Sequence, residues 1–330
     1  MWFVCIALVL LAFWRAARTG KAKSAREPKP SVPGAVPPHE PRPAAAVTTL
    51  AAAYAVFVAW TFFAWYRKHY PLDKFKWGGD GWLGENTYAG GVDKCGHGWA
   101  TMSLARLGTV ILNGWGGFAR RKASLISAGL AELLFAGVEV KDGFYYEFSF
   151  SDFTGNSCGA VLAALFDNFP RLNELFGYRV QYWPSAMYKR KVAGTSPCPS
   201  GGCSRWNIAE DYSGETYLAA FHLGGVHALR DRVGPVARFV DVAAGFDSRN
   251  YKPHPDADVT EPPHQDLFLG LAFNAQGFCD WLLEDRTSKA ARRAQRITHG
   301  LFEVFNAPGG SVRLLEWSRA ARVKPPSLGA

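Results

Sequence analysis

The residues with the most chemical potential fall in three short stretches: Asp93-Lys94-Cys95-Gly96-His97, Glu139-Val140-Lys141-Asp142-Gly143 and Asp152-Phe153-Thr154-Gly155-Asn156. On a helix, Asp93 and His97 stand one turn apart on one face, and so do Asp152 and Asn156. That spacing suits a hydrogen-bonded pair or two ligands of one ion. Glu132 and Glu139 are seven apart and share a face of the intervening helix. An imidazole or carboxylate inside an apolar helix needs a partner, because burial without one is costly. Each feature also has a plainer account. Asp93 is placed to cap a helix, and a polar network of these types can serve only to fix helix register. One histidine among carboxylates matches no zinc signature such as H-E-x-x-H, and no P-loop, dinucleotide fingerprint or G-x-S-x-G is present. The sequence therefore assigns no metal, no cofactor and no catalytic residue.

Elements must carry these groups to one place. Three apolar segments, about 95–115, 123–140 and 153–166, read as helices joined by a short basic loop (Arg120, Arg121, Lys122) and an aromatic turn. If consecutive helices run antiparallel, the start of the first, the end of the second and the start of the third lie together. Asp93, Lys94, His97, Glu139, Asp142, Asp152 and Asn156 then converge, with Glu132 on the same helix face. Upstream, residues 1–26 form an apolar run and its basic flank, and 27–43 form a proline-rich linker. Residues 44–66 are uncharged and end in Trp60, Trp65 and Tyr66, the pattern of a transmembrane helix. Residues 67–170 hold the polar cluster. Residues 171–330 read as a smaller mixed α/β part, with strands over 236–246 and 266–274 and helices over 217–229 and 276–305.

Composition sets the frame. The chain has 330 residues, 37 basic against 28 acidic, and is 48% hydrophobic with 14% aromatic side chains. That excludes a disordered chain, and a mean hydropathy of −0.08 excludes one that is transmembrane throughout. Seven basic residues against two acidic ones lie within 1–43. Flanked by apolar runs, they read as the cytoplasmic flank of a membrane segment and not as a nucleic-acid patch. The expected fold is a mainly α, membrane-associated helical bundle, with a soluble bundle tethered by 44–66 as the alternative.

Four motifs carry a family resemblance: Asp93-Lys94-x-Gly96-His97, Glu139-x-x-Asp142-Gly143-Phe144, Phe148-Ser149-x-Ser151-Asp152-x-x-x-Asn156-x-x-Gly159 and Tyr212-Ser-Gly-Glu-Thr-Tyr217. Together they resemble the bacterial DUF2279 (YfiM-like) family, from about Tyr66 to Trp317. The stretch 93–165 is more weakly similar to VanZ-like membrane proteins. Neither resemblance implies a reaction. The chain lacks a lipobox at Cys5, unlike the lipoprotein members. The resemblance implies a protein of the bacterial inner membrane or cell envelope, a scaffold or binding protein in contact with membrane lipids and other envelope proteins. A membrane-embedded enzyme acting on lipid-linked or cell-wall intermediates is the rival. Cys198 and Cys203 bracket a turn-forming Pro-Ser-Gly-Gly and read as a local disulfide in an oxidising compartment, or as free thiols in the cytoplasm.

Overall fold

The computed structural model describes residues 40–66, 74–79, 81–85, 87–195, 207–251 and 262–320, all within one compact unit, Val36–Ala330. The N-terminal run, most of the proline-rich linker, and Cys198 and Cys203 lie outside the described residues. The chain is mainly helical, with a mixed sheet toward the C-terminus.

Four helices form the bundle. Helix α1 (Pro43–Thr61) starts with proline at its first position, where a missing N–H costs nothing, and continues as a π-helical turn through Tyr66. Helix α2 (Val92–Thr109) extends in the same way to Trp115. Gly116 and Gly117 then reverse the chain; Gly117 adopts a φ of 71°, open to glycine at little cost. Helix α3 (Arg120–Tyr145) is the longest, and its last turn absorbs part of the segment expected to be a loop. Helix α4 (Phe150–Asn168) is capped by Ser149, whose hydroxyl accepts from the Asp152 N–H.

Contacts fix the directions. Ala46 and Leu50 of α1 pack with Ala123 of α3, Phe57 meets Phe135, and Tyr66 reaches Asp142. Helices α1 and α3 therefore run parallel. Helices α2 and α4 run the opposite way: Ile111 and Leu112 lie by Ala123, and Asn168 donates to Ser124 while Ser157 donates to Glu132. The centre of the bundle is built from small residues, Ala105, Ala128, Ala131, Ala160 and Ala163, with Met102 and Phe166.

The sheet is larger than the expected strand pair. A two-residue strand β1 (Trp77–Gly78) pairs with β2 (Phe148–Ser149) just before α4. After the short helix α5 (Pro170–Leu175) come β3 (Phe176–Tyr182), helix α6 (Ala186–Ala193), β4 (Glu215–His222), helix α7 (His227–Val233), β5 (Val240–Arg249), β6 (His264–Phe273), helices α8 (Ala275–Leu283) and α9 (Lys289–Val304), β7 (Phe305–Asn306) and β8 (Ser311–Ala320). The six longer-range strands order as β7-β3-β4-β5-β6-β8, antiparallel except for β3 with β7. The expected helix over 217–229 is thus strand β4 followed by the short α7. Glu-Thr-Tyr-Leu-Ala-Ala-Phe-His is buried along most of its length and pairs on both sides, with β3 and with β5, and that pairing outweighs a weak helical pattern. The long helix over 276–305 is broken between α8 and α9, where Ser288 caps the second.

Strand β6 inverts the usual alternation. Leu267, Leu269, Leu271 and Phe273 are exposed, whereas Gln265, Asp266, Phe268 and Ala272 are buried. Trp317 and Leu315 of β8 pair opposite Leu267 and Leu269 and are also exposed.

Candidate functional site

The loop before α2 is pinned to the sheet. Ser248 donates to the Ala89 carbonyl at 2.6 Å, and Gln265 donates to the Gly90 carbonyl at 2.7 Å. Tyr178 adds a bond to the Cys95 carbonyl. These contacts aim the first turn of α2 at the end of α3 and the start of α4.

The structure brings Asp93, Lys94, His97, Glu139, Asp152 and Asn156 together there. Lys94 Nζ lies 2.7 Å from Asp93 Oδ2 and 3.1 Å from Asp152 Oδ1. His97 Nδ1 lies 3.0 Å from Asn156 Oδ1 and 3.4 Å from Glu139 Oε1, and its Nε2 lies 3.9 Å from Asp152 Oδ2. Thr101 donates to the same Asn156 oxygen at 3.1 Å. Glu139 is 1% exposed and Asn156 is fully buried, while His97 and Asp152 keep some access to solvent. One donor atom from each of His97, Glu139 and Asp152 lies within 4.8 Å of the others, close enough to share a metal ion.

Two expected members sit elsewhere. Asp142 accepts from Tyr66 at 2.6 Å, tying the end of α3 to α1. Glu132, two turns before Glu139, accepts from Ser157 at 2.6 Å and belongs to a separate α3–α4 contact. Tyr66 and Thr101 were not anticipated: Tyr66 closes an apolar aromatic segment that reads as a membrane border, and an isolated threonine on a helix carries no pattern.

Glycines set the distance between α2 and α4. A side chain on Gly159 would run into the Gly98 carbonyl, and a Cβ on Gly155 would sit 2.8 Å from the Lys94 carbonyl. Close approach of the two backbones is what lets His97 reach Asn156. The Tyr212–Tyr217 motif supports the same turn of α2. A Cβ on Gly96 would lie 2.9 Å from the Tyr217 hydroxyl, which in turn donates to Glu215 at 2.8 Å. Burial pushes the Glu215 carboxyl up to about 8, even though the Tyr217 hydroxyl favours its charged form.

A second polar network, also not anticipated, lies in the sheet. Asp241 receives His222 and Asn274 on one oxygen and Arg179 on the other, each at 2.8 Å. Both Asp241 oxygens thus meet donors, which ties three strands and the start of α8 together.

Residues 79–168 match the family model DUF2279, described as a predicted periplasmic lipoprotein. The match runs from the loop before α2 to the last turn of α4 and so contains the whole site. It supports the DUF2279 resemblance and a place in the cell envelope; the VanZ-like resemblance gains no support. No curated protein and no solved structure matches the chain.

Proposed function

Taking residues 79–168 as a DUF2279 region of the cell envelope, we propose that this chain is a membrane-held binding protein whose helical bundle carries a ligand site at one end. Two helices, Pro43–Tyr66 and Arg120–Tyr145, are long and apolar enough to cross a bilayer. Their exposed side chains include Val56, Val58 and Phe63 on α1 and Leu125, Leu130 and Leu133 on α3. Helices α2 and α4 pack beside α3 and keep their charged groups turned inward, as ionisable residues in a membrane must. The outer faces of β6 and β8 are also apolar. Arg120, Arg121 and Lys122 at the start of α3 mark the cytoplasmic end, so the polar cluster lies toward the outer one.

One observation carries the binding reading. At Asp241 each carboxylate oxygen meets a donor, whereas the buried Glu139 Oε1 has no hydrogen-bond donor and faces the His97 ring. One donor atom from each of His97, Glu139 and Asp152 also points into the same space, within 4.8 Å of the others, so the unmet Glu139 oxygen has room beside it for a cationic or donating ligand. Sites held ready for a ligand are not optimised for stability. The test is Glu139→Gln in the full chain in detergent micelles, without added ligand. The binding reading expects melting at or above the wild-type temperature. A loss of about 3–5 kcal/mol, the cost of breaking a buried charge pair, would leave only a structural network.

A further inference from the structure

We infer that His97, Glu139 and Asp152 bind one divalent transition-metal ion, Zn²⁺ or Mn²⁺; this deepens, and rests on, the reading of the cluster as a binding site. The Asn156 amide oxygen can only accept, and it already accepts from Thr101. His97 Nδ1 is therefore its donor, which leaves Nε2 as the ring nitrogen available to an ion. Nε2 faces Asp152 Oδ2 across 3.9 Å, too far for a direct hydrogen bond. An ion bonded at about 2.1 Å to each of two atoms spans up to roughly 4.2 Å, so the gap has the size of a metal and not of a hydrogen bond. Glu139 supplies the third ligand: its Oε1 lies 3.4 Å from Nδ1 of the same ring, and one atom from each of the three residues lies within 4.8 Å of the others. The Glu139 Oε1 is buried without a donor.

Two of the ligands are also held from behind on the atom they would not give to the ion. Lys94 forms an ion pair with Asp152 through Oδ1, and Asn156 holds His97 by Nδ1. Metal sites depend on such outer partners to orient their ligands. Partial exposure of His97 and Asp152 leaves an entry path and room for water on the ion. One imidazole with two carboxylates is a mixed nitrogen and oxygen set. It suits Zn²⁺ or Mn²⁺ better than Mg²⁺, which favours oxygen alone, or Cu(I), which favours sulfur.

The experiment uses the full chain in detergent, stripped with EDTA and dialysed against Zn²⁺ or Mn²⁺ alone, with bound metal measured by elemental analysis. The expected result is about one ion per chain and a raised melting temperature. His97→Gln and Asp152→Asn should each weaken uptake by at least roughly tenfold, while Glu132→Gln, outside the cluster, should bind as wild type. Co²⁺ added to the unmutated chain supplies a readout that needs no variant to fold, through visible absorption that reports protein ligands. No uptake above background, or uptake unchanged in His97→Gln and Asp152→Asn, overturns the metal site. If uptake fails while Glu139→Gln melts like wild type, the binding reading stands and the ligand is an organic cation. If uptake fails and Glu139→Gln is strongly destabilised, both readings fall.

Discussion

Replacing Gly159 with alanine tests whether the site depends on the close approach of α2 and α4. A Cβ there would occupy the space of the Gly98 carbonyl oxygen, and backbone cannot swing aside as a side chain can. The neighbouring Gly155 gives the scale. Its Cβ would lie 2.8 Å from the Lys94 carbonyl, where ordinary contact begins at 3.4 Å. Even that milder substitution asks the helices to part by about 0.6 Å, and Gly159→Ala asks for more; overpacking of this kind costs about 1–3 kcal/mol. Parting the helices also stretches the 3.0 Å contact between His97 and Asn156, a hydrogen bond with a net worth of about 1 kcal/mol. The total is roughly 2–4 kcal/mol, a large share of a typical stability of about 5–15 kcal/mol. It should lower Tm by roughly 3–6 °C in a unit of this size. Gly129 and Gly137 on α3 are the internal controls, because a Cβ at either meets nothing within 4 Å. There alanine should leave stability unchanged or raise it by up to about 1 kcal/mol through helix propensity. Thermal melts of the three variants, followed by helical circular dichroism in one detergent, make the comparison. If Gly159→Ala melts with Gly137→Ala, the two helices do not meet as described and the geometry of the site is wrong.

Asp241→Ala should cost about 3–5 kcal/mol in denaturant unfolding, because it leaves the buried Arg179 guanidinium without its carboxylate; a loss under about 1 kcal/mol would show that Arg179 finds water instead. Glu215 should give stability a pH dependence. Its folded value of about 8 lies above its ordinary 4.5, so the folded chain holds a proton that the unfolded chain releases. Stability therefore falls as pH rises between those two values, by up to about 1.4 kcal/mol per unit; Glu215→Gln should flatten that slope, and an unchanged slope refutes the assignment. Tyr66→Phe removes the donor to Asp142 and should cost about 1–3 kcal/mol, read as a lower Tm, whereas wild-type melting would place Asp142 in contact with solvent.

The sequence by itself determined the bundle. Uncharged or sparsely charged runs of helical length, a proline at the start of α1, Gly116-Gly117 between α2 and α3, and Ser149 before α4 are local signals, and each acts within a turn or two of the residues it governs. Given three consecutive helices on short connections, antiparallel packing follows. The meeting of Asp93, His97, Glu139, Asp152 and Asn156 follows from that. What lay beyond local reach was the choice among partners of equal chemistry. Glu132 and Glu139 share a helix face, yet one turns to Ser157 and the other to His97. Tyr66 and Asp142 meet although 76 residues apart. Thr216 to Phe221 became strand because β3 and β5 offered ladders on both sides. Arg179 and Asp241 became a pair only once three strands stood in register. Such pairings depend on backbone spacing set by side chains far away in sequence, the Gly98–Gly159 contact above all. A helical period or a charge pattern carries no record of how near two backbones will come. Packing decides that distance, and the distance decides whether a histidine meets a carboxylate, an amide or an ion.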